Sequence, residues 1–208
     1  MAATGKKENA NTGETTRSVV LAGVGGQGTI TAANLLAGAL VAHGYDVKTS
    51  EVHGMAQRGG SVISMVRFGS SVASPLVPLG EAEALVSTEL LETLRNIEFL
   101  ALGGKVVGSR TRVDPLPVLQ GAVAYPEDAE ERILNLVPDS IIVDAADVAA
   151  QAGDERAANT VLLGILSPLL PVGEEEWLEV IEMNVPGKAL DANKKAFLAG
   201  RKIAQAHT

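Results

Sequence analysis

The chain has 208 residues, with 17 Lys and Arg against 25 Asp and Glu, 46% hydrophobic residues, 3% aromatic residues and no cysteine. That length supports one substantial core without covalent staples, and the lack of cysteine excludes a disulfide, a thiolate nucleophile and thiolate-held zinc or iron–sulfur clusters within this chain. A formal charge of −8 argues against a general nucleic-acid surface, and three scattered histidines, His43, His53 and His207, form no metal-ligand pattern.

Residues 1–16 (MAATGKKENANTGETT) are small, polar and charged, without the apolar run of a secretory signal, and are expected to be a disordered tail. Residues 17–208 are expected to form one domain. Residues 18–23 (SVVLAG) make a valine-rich run that stops at glycine, as a buried parallel strand does. Residues 30–43 switch to helical spacing, with Ile30, Ala33, Ala37, Leu40 and Val41 on one face, and Gly44 ends the helix. A second strand is expected over 45–52. A half-buried strand follows over 61–68 (SVISMVRF), where apolar and polar residues alternate.

Further along, the pattern predicts a strand at 83–87 and a helix over 88–102, N-capped by Thr88 and closed by Gly103-Gly104. Residues 105–108 (KVVG) begin another strand. Pro126-Glu127-Asp128 opens a helix running to Leu136, with acidic residues placed as the helix dipole favours. Residues 141–144 (IIVD) read as a short buried strand and 147–153 as a short helix, after which 160–166, 174–183 and 187–206 are helical. No apolar run reaches the roughly 20 residues of a membrane span, so a cytoplasmic protein is expected. The alternation predicts an α/β fold: a single Rossmann-like domain with a largely parallel sheet flanked by helices, and a helical C-terminal third.

Two glycine-rich segments carry the chemistry. Gly23-Val24-Gly25-Gly26-Gln27-Gly28 follows a predicted strand and opens a predicted helix, where glycines let the backbone approach an anion and helix amides point at it. Its G-x-G-x-x-G spacing, with Glu51 23 positions beyond Gly28, matches a dinucleotide-binding strand–turn–helix, although a tight turn without ligand uses the same glycines. A Gly-Lys-Ser/Thr sequence is absent, which excludes a Walker-type phosphate loop. The second segment, 51–60, brings Gln57 and Arg58 between Gly54 and Gly59-Gly60. Arginine offers a rigid donor fork for phosphate or carboxylate, and the glycines expose amides that add to an anion nest. His53 has no carboxylate or nucleophile paired with it by spacing and reads as a satisfied loop histidine.

The run from Val19 to Gly69 resembles the gamma-domain family of 2-oxoacid:ferredoxin oxidoreductases, most nearly the β subunit of the indolepyruvate:ferredoxin oxidoreductase branch. The residues that carry the resemblance are Gly25-Gly26-Gln27-Gly28, Ser50 to Met55, Gln57-Arg58-Gly59-Gly60 and Val66-Arg67-Phe68-Gly69. It continues through Tyr125-Pro126, Asp144-Ala145, Asn159 with Leu163-Gly164, and Val185-Pro186, so it spans nearly everything after the tail.

The resemblance implies CoA-dependent oxidative decarboxylation of an arylpyruvate to an aryl-acetyl-CoA and CO2, with reduction of ferredoxin. Thiamine diphosphate supplies the carbanion chemistry. It implies that a cysteine-rich partner α subunit carries the thiamine diphosphate and the [4Fe–4S] clusters, and that this chain binds no cofactor alone, holds no metal and is inactive by itself. Gly25, Gly26, Gln27, Gly28, Gln57, Arg58, Gly59, Gly60 and Asn159 occupy the family's signature positions and are the candidate cofactor-binding residues. No catalytic residue is assigned. The expected partners are the α subunit, ferredoxin, a 2-oxoacid and CoA, with no nucleic acid and no membrane. Two alternatives stand beside this reading: a free-standing NAD(P)-binding Rossmann oxidoreductase, for which no Tyr-Lys or His-Asp pair is evident, and a non-catalytic nucleotide- or CoA-binding module.

Overall fold

Apolar runs that stop at glycine or serine become the central strands. In the computed structural model, which describes residues 16–54 and 59–207, β1 (Arg17–Val24) is buried along its whole length after its first residue. Residues 1–15, which make up nearly all of the expected tail, lie outside the described residues, as do Gln57 and Arg58. The chain continues through α1 (Thr29–His43), β2 (Asp46–His53), β3 (Ser61–Gly69), β4 (Ala82–Ser87), α2 (Leu90–Asn96), β5 (Leu100–Ser109), α3 (Leu116–Leu119), α4 (Ala129–Leu136) and β6 (Ile141–Val143). Four more helices follow: α5 (Ala145–Ala152), α6 (Ala158–Leu166), α7 (Glu174–Asn184) and α8 (Gly187–Ala206). The C-terminal third is therefore helical, as expected.

The six strands form one sheet in the order β2-β3-β1-β4-β5-β6. β1, β4, β5 and β6 pair in parallel, whereas β3 lies antiparallel between β1 and β2. The sheet is thus largely parallel, with β3 as its one reversed strand. Chain length explains the reversal. A parallel return needs a crossover of about a dozen residues or more, and the stretch 54–60 between β2 and β3 is too short for one.

Helices cover both faces. On one, Ile133 of α4 packs with Val20, Leu85 and Val106 from three strands. On the other, α1, α5, α6, α7 and α8 close over Val19, Leu21, Val86 and Val107. Burying a leucine such as Leu36 or Leu40 of α1, both with no exposed surface, contributes about 1.5–3 kcal/mol relative to leaving it in water. α6 and α8 cross at two glycines. A Cβ on Gly164 would lie 2.1 Å from the Phe197 carbonyl oxygen, and one on Gly200 2.1 Å from that of Val161. Trp177 of α7 and Phe197 of α8 then stack beside the crossing, 5.4 Å between ring centroids. No helix among the described residues is long and apolar enough to cross a membrane.

One predicted element is corrected. The expected helix over 88–102 ends at Asn96, and after one short helical turn at Ile97–Phe99 the chain enters β5 at Leu100. The Asn96 side chain donates to the Glu92 carbonyl in the last turn of α2, a local bond that competes with helix continuation. Leu100 then pairs with Ala82 of β4, and Gly103-Gly104 falls inside the irregular start of β5 instead of closing a helix. Thr88 is not the N-cap. That position belongs to Glu89, whose carboxylate accepts the Glu92 amide.

Candidate functional site

The chain leaves β1 toward β2 on one side of the sheet, while β4 lies on the other, so β1 and β4 flank a topological switch point. In open α/β sheets the crevice outside the carboxyl ends of such strands is where ligands bind. Here that crevice is built by the glycine loop after β1, Thr88 after β4, and the described end of the second glycine segment, Gly59-Gly60.

The glycine loop has a rigid internal wiring. Gly26 and Gly28 have φ of 100° and 80°, the left-handed region that glycine enters without penalty. Gly28 is also the N-cap of α1, and a Cβ there would sit 2.9 Å from Asn159 Nδ2. The Gln27 side chain folds back on the loop, its Oε1 accepting the Val24 amide at 2.9 Å and the Thr88 hydroxyl at 2.7 Å. Both acceptor sites of that oxygen are thereby used. From α6, Asn159 Nδ2 donates to the Gln27 carbonyl at 2.6 Å. Gly23 fits beneath because it has no Cβ, which would lie 2.1 Å from Thr88 Oγ1 and 2.6 Å from Thr29 Oγ1.

The two glycine segments are clipped together. The Gly25 amide donates to the Gly60 carbonyl at 2.7 Å, and the Gly59 amide donates to the Gly25 carbonyl at 3.2 Å. Two cavities flank the clip. The smaller, about 420 Å³, lies among Gly25, Gly26, Gly28, Thr31, His53 and Val62. The larger, about 640 Å³, lies on the α5–α6–α8 side among Gln27, Thr88, Ser109, Arg156, Asn159 and Lys188.

Two of the charges that line the larger cavity are committed to one another. Asp154 and Arg156 form a bidentate pair, with the guanidinium Nη2 2.7 Å from Asp154 Oδ2. The Arg156 side chain, and then its backbone amide, hold the Asp154 carboxyl at about 2, below the usual carboxylate range. Behind Thr88, the buried Glu89 carboxylate accepts from the Tyr125 hydroxyl at 2.6 Å, the Glu92 amide at 2.8 Å and the Val113 amide at 3.3 Å. Burial first, and the bond to Glu89 second, push the Tyr125 phenol well above the usual tyrosine range. The phenol therefore acts as a donor that pins the chain after β5.

This arrangement can bind an anion. The N-terminus of α1 has no side-chain cap and no acidic residue in its first turn among the described residues, so its amides and dipole favour negative charge there. Among the described residues, nothing lies within 4 Å of where a Cβ would stand on Gly26, which leaves its backbone unobstructed by them. The Thr29 hydroxyl is buried beside the loop with no hydrogen-bond partner among the described residues. His53 is not a loop residue as expected but the exposed last residue of β2, with its Nδ1 3.2 Å from the Gly54 carbonyl oxygen.

Comparison with known proteins assigns the chain. A family model described as pyruvate ferredoxin/flavodoxin oxidoreductase matches residues 18–203. The chain belongs to that family. It is 43% identical over 195 residues to an indolepyruvate oxidoreductase subunit IorB from Pyrococcus horikoshii, covering 90% of this chain and 96% of that one. Among solved structures, it is similar to a keto/oxoacid ferredoxin oxidoreductase gamma subunit from Geobacter sulfurreducens, with a TM-score of 0.67, 22% identity, and 91% and 99% of the two chains covered. It is similar to a 2-oxoglutarate:ferredoxin oxidoreductase from Magnetococcus marinus, solved with 2-oxoglutarate, coenzyme A and succinyl-CoA, with a TM-score of 0.67 and 21% identity. That alignment covers 93% of this chain and 32% of the other. At those identities the structural likeness speaks for the fold.

In this member of the oxidoreductase family, seven of the nine candidate residues lie together at one edge of the sheet. Gly25 is hydrogen-bonded to Gly59 and Gly60, Asn159 to the Gln27 carbonyl, and Gly26 and Gly28 flank Gln27 in the same loop. Gln57 and Arg58 lie outside the described residues. The clearest change concerns Gln27, whose carboxamide oxygen braces the loop and leaves only its amide nitrogen for a ligand. Thr88, which braces the glycine loop, was missed as a site residue. The signal for Thr88 was its place just after β4, at the carboxyl edge. The dinucleotide-binding alternative loses its acid, because β3 separates β2 from β1 and puts Glu51 two strands away from the glycine loop.

Proposed function

We propose that this chain is the cluster-free subunit of an indolepyruvate:ferredoxin oxidoreductase. In this role, residues 17–208 serve as one gamma-type domain and the two clipped glycine segments face the anionic cosubstrate, CoA. The observation that carries the reading is the clip itself: uncapped helix amides, an open Gly26 backbone and a buried unpaired Thr29 hydroxyl meet at the switch point. Their donors suit the phosphates of CoA, and Arg58, adjoining the clipped Gly59 in sequence, would add a guanidinium. In this reading a cysteine-rich partner subunit carries the [4Fe–4S] clusters and thiamine diphosphate and passes electrons to ferredoxin, a division that the lack of cysteine in this chain fits. When bound there, thiamine diphosphate supplies stabilisation of the carbanion left by CO2 loss. This chain's residues orient CoA and keep its phosphates fixed at the edge of the assembled site.

The reading is tested by anaerobic co-expression with the partner subunit, followed by a panel of indolepyruvate, phenylpyruvate, pyruvate and 2-oxoisovalerate with viologen as acceptor. CoA-dependent viologen reduction that favours the arylpyruvates is expected. A purified chain that oxidises substrates alone with NAD(P), or a complex whose rate ignores CoA, would overturn it.

A further inference from the structure

A buried carboxylate that the proposed function leaves unused stands next to the clip. Glu92 is 2% exposed. Its Oε2 accepts the Ser61 hydroxyl at 2.5 Å and its Oε1 accepts Arg95 Nη1 at 2.6 Å. Burying a carboxylate is costly unless its oxygens are well bonded, and one of its two side-chain bonds reaches across to another element. Ser61 is the first residue of β3. It follows Gly60 directly and pairs in register with Val24, the last residue of β1. Fixing the Ser61 hydroxyl therefore fixes the point at which the Gly59-Gly60 segment enters the sheet.

Thr88 and Glu92 stand four positions apart on one short stretch. Thr88 holds the first glycine loop through Gln27, and Glu92 holds the second segment through Ser61. Between them, Glu89 caps α2 and ties it to Tyr125. The ring closes through the Gly25–Gly59 and Gly25–Gly60 backbone bonds.

We propose that Glu92 is a positioning residue. Through Ser61 it sets the spacing of the two glycine segments and thereby the affinity of that edge for its anionic cosubstrate. The inference rests on the reading of that edge as the CoA side. It requires no proton transfer and no contact between Glu92 and substrate.

The test uses Ser61→Ala, its conservative counterpart Ser61→Thr, and Glu92→Gln, which keeps the shape but exchanges a charged acceptor for a neutral one. Amide exchange at Gly25 and Gly59 is measured in the full chain, and kcat and the KM for CoA are measured in the complex with the partner subunit. Loss of one hydrogen bond to a charged group predicts about tenfold faster exchange at Gly25 and Gly59 in Ser61→Ala, and a CoA KM raised by about the same factor with kcat within about twofold. Ser61→Thr restores both, and Glu92→Gln falls between. Unchanged exchange at the two glycines overturns the proposal, as does a rise shared by the central strands at Val20 and Leu85, which marks general loosening. A wild-type CoA KM in Ser61→Ala overturns it too, provided the wild-type complex depends on CoA. Loss of that dependence in the wild-type complex counts against the function proposed above, and the two failures are read from different proteins.

Discussion

The hydroxyl of Thr88 donates to Gln27 Oε1 at 2.7 Å, joining the end of β4 to the loop that follows β1 across the switch point of the sheet. With the Val24 amide it turns the Gln27 carboxamide oxygen back onto the loop. Thr88→Val keeps the side-chain volume and removes the donor. It should cost about 0.5–1.5 kcal/mol in urea denaturation, with unchanged helix content. Gln27→Ala leaves the Val24 amide without its side-chain acceptor and should cost more, about 1–3 kcal/mol.

The α6–α8 crossing makes a second prediction. Gly164→Ala and Gly200→Ala each place a methyl against the carbonyl of the opposing helix, and each should destabilise the chain by about 1–3 kcal/mol or more through overpacking. The double variant should lose less than the sum, because both methyls push the same pair of helices apart. Thermal unfolding of the three variants checks this.

Tyr125→Phe removes one of three donors to the buried Glu89 carboxylate and should cost about 1–3 kcal/mol near neutral pH. The same bond carries a pH dependence. A phenol whose folded pKa is raised stabilises the fold fully below its unfolded value of 10.0 and loses that contribution as pH rises beyond it. Stability measured from pH 8 to 11 should fall in the native chain, and the fall should be shallower in Tyr125→Phe.

Asp154 gives the acid counterpart. Its carboxyl, held at about 2 by Arg156 against a reference of 3.8, favours the fold above about pH 4, and that favour fades as pH drops from 4 toward 2. A carbon-detected titration should place its midpoint at about 2. In Arg156→Ala, which removes the guanidinium but keeps the backbone amide bond to Asp154, the midpoint should rise toward the ordinary aspartate range without fully reaching it.

Much of the fold was legible because apolar period and glycine punctuation agreed. α8 was expected over 187–206 and runs over those residues, and Gly44 ends α1 with φ of 105°, as a helix-closing glycine should. The stretch 88–102 misled because Leu90, Leu94 and Ile97 share a helical period. Strand pairing of Leu100 with Ala82, a contact with a distant segment, outweighed it. The glycine cluster of the site was legible from turn chemistry alone. What sequence could not give was the direction of side chains. Gln27 looks like a ligand donor in a list of signature positions, yet its oxygen turns inward to Val24 and Thr88. Nothing in the local pattern singles out Glu92, and only the packing of α2 beside the start of β3 buries it against Ser61.

As proposed, this chain supplies the CoA-facing edge of an oxidoreductase whose redox groups sit in another subunit. The most direct measurement is the KM for CoA of the anaerobically assembled complex carrying Arg58→Ala, compared with the wild-type complex, using indolepyruvate as substrate and viologen reduction as the readout. A CoA KM raised about tenfold or more, with assembly intact and kcat little changed, is the predicted result for loss of a charge-assisted phosphate contact. An unchanged CoA KM in a fully assembled Arg58→Ala complex would contradict the account.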